Sequence, residues 1–122
     1  MIRAYKLYTD AHGDSRFTVG TVADRTLTAA TAIQFKETPP GTFYDWHVAP
    51  TLQFVLTLCG TLEFTTSTGE TFTLRTGDVL LATDTTCKGH KWQMLGSEPW
   101  RRAYVLFHSE ADMNFIPDEQ EA

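Results

Sequence analysis

No stretch of this chain keeps a helical period for long. Apolar and polar residues alternate in short runs, and most runs stop at a cluster rich in Gly, Pro, Asp, Ser or Thr. Alternation puts every second side chain on one face of a strand, and closely spaced turn residues leave little length for a packed helix. The expected class is therefore all-β, a sandwich or barrel. Tyr5 to Tyr8 and Phe17 to Val22 read as a hairpin across the turn formers Asp10 to Ser15. Ala30 to Lys36 reads as a strand, and Thr38-Pro39-Pro40-Gly41 must turn, because neither proline can donate to a sheet ladder. Thr61 to Thr66 and Thr71 to Arg75 form a second hairpin. Val79 to Ala82 reads as a buried strand, Asp84 to Gly89 as a polar loop, and alternation returns at His90 to Met94 and at Arg102 to Phe107. From about Ser109 onward the chain is acidic and reads as a solvated end, irregular or briefly helical.

At 122 residues the chain is expected to form one domain over its whole length. A formal charge of -5, with basic residues scattered, argues against nucleic acid or an anionic membrane as partner, since both require clustered Lys and Arg. No apolar run follows Met1 and none reaches the length of a membrane span, so a cytoplasmic location is expected. Cys59 and Cys87 have no metal or redox spacing and read as free thiols.

The stretch Gly41 to Gly60, GTFYDWHVAPTLQFVLTLCG, organises the rest. If it stays extended, His47, Ala49, Thr51, Gln53, Val55 and Thr57 share one face. Phe54, Leu56 and Leu58 then make the other face apolar too, and a strand buried on both sides needs a second cover. The N-terminal hairpin or a second subunit can supply it, and a homodimer is expected.

The spacing of this stretch resembles the first motif of the cupin superfamily: Gly, five residues, His, one residue, His, three or four residues, Glu, six residues, Gly. Gly41, His47, Gln53 and Gly60 fall on those counts, with Ala49 in place of the second His and Gln53 in place of the Glu. Gly77 to His90, GDVLLATDTTCKGH, is similar to the second motif, with Thr83 and Thr85 at its Pro and Gly places and His90 arriving two residues late. An insertion of two preserves strand parity, so His90 can still face inward. The resemblance covers about two thirds of the chain and implies a cupin-type jelly-roll barrel, commonly dimeric through such a sheet.

It also implies a site. His47, His90 and Gln53 would hold one divalent transition metal (Fe, Mn, Ni, Cu or Zn) and leave positions open for water or substrate. Tyr44 is the candidate rim hydroxyl, Asp45 the candidate acceptor for an imidazole, and Asp84 the acidic group of the loop leading into His90. Trp92, Met94, Val55 and Phe107 would wall the cavity. Two functions follow: a metal-dependent lyase, isomerase or dioxygenase acting on a small organic molecule, or a metal-free cupin that binds a small ligand without catalysis.

Overall fold

The computed structural model describes residues 1–118. Its strands are β1 (Arg3–Thr9), β2 (Ser15–Val22), β3 (Ala32–Thr38), β4 (Phe43–His47), β5 (Gln53–Cys59), β6 (Thr61–Thr66), β7 (Thr71–Leu74), β8 (Val79–Ala82), β9 (His90–Leu95), β10 (Trp100–Leu106) and β11 (Phe115–Pro117). A 7-stranded sheet in the order β11-β2-β1-β8-β5-β10-β3 packs on a 4-stranded sheet in the order β4-β9-β6-β7. This is the all-β jelly-roll arrangement that the resemblance implies. Among the described residues no helix is long and apolar enough to cross a membrane.

Local patterning accounts for most of it. β6 and β9 alternate strictly between buried and less buried residues, as strands with one face on a core must. All of β8 is buried, because it runs between β1, parallel, and β5, antiparallel, in the middle of the large sheet with cover on both faces. The inner core joins Leu7, Val55 and Leu80 of the large sheet to Leu62, Phe64 and Trp92 of the small one. Both hairpins form as expected, with Leu7 opposite Phe17 and Phe64 opposite Phe72. Cys59 and Cys87 are free thiols.

Three expectations change. The third strand begins and ends two residues later than Ala30 to Lys36, and the last long strand starts at Trp100 instead of Arg102. The tail is not a solvated end. A 3-10 turn over Glu110–Met113, begun by the Ser109 side chain accepting from the Ala111 amide, buries Met113 completely, and β11 then pairs with β2. Two exposed tail carboxylates reach back to the sheet, Glu110 to Lys6 at 3.0 Å and Asp118 to Arg3 at 3.2 Å. Residues 119–122 of the acidic tail lie outside the described residues.

The cover over the outer face of β5 is a further correction. Phe54 packs against Phe107, with ring centroids 4.6 Å apart, in a cluster that includes Leu81 and Met113. The N-terminal hairpin lies within the large sheet, between β8 and β11, so the chain's own C-terminal segment shields this end of the row. Leu58, at the other end, is exposed.

Candidate functional site

The open end of the barrel is built where β4 meets β9. His47 lies directly opposite His90, after a register irregularity between Tyr44 and His47. Such a bulge re-aims a side chain that strict alternation would send elsewhere. The two imidazole rings sit 4.4 Å apart, nearly edge to face at 62°. Gly89 permits this approach: its φ is +90°, and a Cβ there would collide with the His47 carbonyl.

Each imidazole has one nitrogen fixed. Nδ1 of His47 donates to the Asp45 carbonyl at 2.7 Å, and Nδ1 of His90 donates to Asp84 Oδ2 at 2.5 Å. A carbonyl and a carboxylate can only accept, so both Nδ1 atoms carry the proton while the rings are neutral, and both Nε2 atoms keep a lone pair. Burial holds the His47 imidazole below its ordinary pKa, and the charge of His90 adds to this. The Asp45 carbonyl and the Asp84 carboxylate pull the other way.

Asp84 is fully buried, and its Oδ2 also accepts from Ser15 Oγ at 2.7 Å. It therefore stands behind His90 as the group that orients the ring. Since the Ser15 hydroxyl donates to the same carboxylate oxygen as His90, the three do not form a nucleophilic relay. The imidazole of His47 is oriented by the Asp45 main chain, while the Asp45 carboxylate accepts from the Trp46 amide.

Gln53 reaches the site by a route that parity did not describe. Between His47 and Gln53 the chain leaves the small sheet and enters the large one, so the two residues approach from different sheets. Gln53 is buried at the start of β5 and, with His47 and His90, lines an inner cavity of about 50 Å³ walled by Val55, Phe64 and Trp92. Val55 and Trp92 thus wall the cavity as expected. Met94 lies in the core beside it, and Phe107 is on the outer face of the large sheet.

Above this cavity lies a pocket of about 680 Å³. Gln34, Lys36 and Thr38 of β3 form one wall with Arg102 and Tyr104 of β10, and Tyr44 and His47 of β4 form another. Tyr44 is 54% exposed, with its ring 4.1 Å from that of His47, at the rim. Asp84 does not line this pocket. Sequence reasoning missed Arg102, Tyr104, Lys36 and Ser15. The signal for the first two was present, since Trp100, Arg102 and Tyr104 share parity and an arginine on the inner face of an apolar strand is anomalous.

For a metal, the usable donors are the two Nε2 atoms and the Gln53 amide oxygen. Among the described residues no three His, Cys, Asp or Glu gather as a candidate metal cluster.

A family model described as AraC-like ligand binding domain matches residues 35–120. The comparison with curated proteins gives no match. Several solved structures are similar to the chain, two of them as follows. A DUF861 family protein from Thermotoga maritima is 28% identical over 62% of this chain and 77% of that one, with a TM-score of 0.47. An uncharacterized conserved protein with a double-stranded beta-helix domain from Klebsiella pneumoniae is 20% identical over 93% of this chain and 91% of that one, with a TM-score of 0.48. Because the family model spans strands of both sheets and takes in the pocket wall from Lys36 to Tyr104, the chain belongs to the AraC-like ligand-binding domain family, within the cupin superfamily.

Proposed function

We propose that the chain is a small-ligand-binding module, cytoplasmic as its sequence suggests, which takes a small organic molecule into the open end of the barrel. The observation that carries this reading is the 680 Å³ pocket, which converges a few polar groups, among them His47, Gln53, Arg102 and Tyr104, on a space partly walled by aromatic rings. That volume lies within the range of sites for small molecules, and the mixture of apolar wall and sparse polar groups is what fixes a ligand's orientation. The family match to AraC-like ligand binding domains supports the same reading. The test is a thermal-shift screen of the untagged chain against a library of small metabolites. Compounds that raise the midpoint should lose their effect in His47→Ala and Gln53→Ala. A library without a stabilising member, or shifts that survive both substitutions, would reject the proposal.

A second reading is favoured by the two Nδ1 hydrogen bonds, which leave the Nε2 atom free on each of two adjoining imidazoles. That half of the donor set fits a divalent transition metal, with His47 and His90 as ligands and the third place falling to neutral Gln53. When bound, such an ion would supply Lewis acidity or an oxygen-binding centre, the basis of a lyase, isomerase or dioxygenase activity. Asp84 would hold the His90 ring in place, and Tyr44 would present a hydroxyl proton at the rim. Metal analysis of untagged protein decides between the readings: His47→Ala and His90→Ala should each remove a stoichiometric ion, and retention at unchanged affinity would exclude the substituted histidine as a ligand.

A further inference from the structure

The inner wall of the pocket holds a buried cation with no anion to match it among the described residues. Arg102 is 2% exposed. Its Nε donates to the Tyr104 hydroxyl at 2.8 Å, and its Nη1 donates to Thr38 Oγ1 at 2.8 Å and to the Trp100 carbonyl at 3.2 Å. The guanidinium lies over the Trp100 ring, 3.7 Å from the centroid. All three acceptors are neutral, and none of the ion pairs among the described residues includes Arg102. An arginine has five N–H donors; those on Nε and Nη1 are engaged, and Nη2 is left with two.

A second observation concerns its neighbour. In the β3–β10 ladder Arg102 stands directly opposite Lys36, and both line the same pocket, whose wall includes no Asp or Glu among the described residues. Like charges placed opposite each other across two strands destabilise a sheet, and a buried charge without a counter-ion costs more still. An aromatic face offsets only part of that cost. In a chain of net charge -5, two adjacent cations and no acid on one pocket wall mark the place of an external anion.

We propose that the β3–β10 wall binds the carboxylate of an organic acid between Arg102 and Lys36. The two N–H groups on Arg102 Nη2 diverge, so one of them can donate to a carboxylate oxygen while the Lys36 ammonium supplies a second charge-assisted contact. The Tyr104 hydroxyl, already accepting from Arg102, keeps its own proton to donate. The aromatic residues of the pocket, Phe43, Tyr44 and Trp92, suit an acid with an apolar or aromatic body. This assignment rests on the ligand-binding reading of the pocket and narrows it to a ligand class.

The test is isothermal titration with three pairs of probes at equal ionic strength: acetate and acetamide, benzoate and benzamide, phenylacetate and phenylacetamide. At least one carboxylate should bind about tenfold or more tightly than its amide, the equivalent of one charge-assisted hydrogen bond. Arg102→Met should abolish that preference, and Lys36→Gln, at an exposed position, should reduce it. Should Arg102→Met fail to fold, Arg102→Lys, which keeps the charge and loses the planar fork, should still lower the preference. Amides that bind as well as their acids would overturn the carboxylate assignment and leave the ligand pocket standing. A preference unchanged in the arginine variant, or no binding by any probe, would also overturn it; the metabolite screen then decides the pocket reading separately.

Discussion

At the scale of single residues, the site rests on groups that act on other groups. Asp84 takes hydrogen bonds from both His90 and Ser15 while fully buried, so Asp84→Ala leaves a buried imidazole N–H and a buried hydroxyl without a partner. Each orphaned donor costs about 1–3 kcal/mol, and urea denaturation should show a loss of about 2–5 kcal/mol. A stability unchanged within error would mean that both donors find other acceptors. His47 makes a pH-dependent contribution of defined sign. Its folded pKa lies below the ordinary 6.5, chiefly because of burial, so at pH values just under 6.5 the unfolded chain binds the proton more readily. Stability is fully present above that value and is lost as pH falls towards the folded pKa. The thermal midpoint should therefore drop over that window, and His47→Gln should flatten the drop. An identical pH profile in the variant would reject this role for His47.

At the scale of elements, the C-terminal segment replaces the cover that the apolar outer face of β5 seemed to require from elsewhere. Met113 is fully buried at the end of the 3-10 turn, where Asn114 adopts a left-handed conformation, φ 54°, and redirects the chain into β11. Met113→Ala removes apolar volume beside Phe54 and Leu81 and should cost about 2–5 kcal/mol in denaturant unfolding. A cost below about 0.5 kcal/mol, typical of surface positions, would show that this cover contributes little. β3 and β4 show the opposite arrangement: they are edge strands, mostly exposed. Their inner faces look onto the pocket instead of a core, which is why polar Gln34, Lys36 and Thr38 occupy the positions where a packed strand would place apolar residues.

At the scale of the whole molecule, Ile33, Phe35 and Leu58 remain exposed on the outer face of the large sheet, at 58%, 70% and 55%. A homodimer that buries them against a second copy is proposed on a different ground from the row of Phe54 and Leu56, because an exposed apolar patch on an edge strand invites association. Light scattering should give twice the chain mass at micromolar concentration, and Phe35→Glu should return the monomer. A monomer mass for the wild type would reject the dimer. Alternation and turn chemistry were enough to determine the all-β class, both hairpins and the exact span of β8, because strand period and turn preference are local properties of consecutive residues, whereas His47 and His90 were singled out by the resemblance in motif spacing. What only the tertiary structure decided was which strands adjoin. The bulge before His47, the change of sheet between His47 and Gln53, the fold-back of Met113, and the placing of Lys36 opposite Arg102 all depend on residues far apart in the chain. No window of sequence contains both partners of such a contact, and it was at this distance that the like charges of Lys36 and Arg102 on the pocket wall lay hidden.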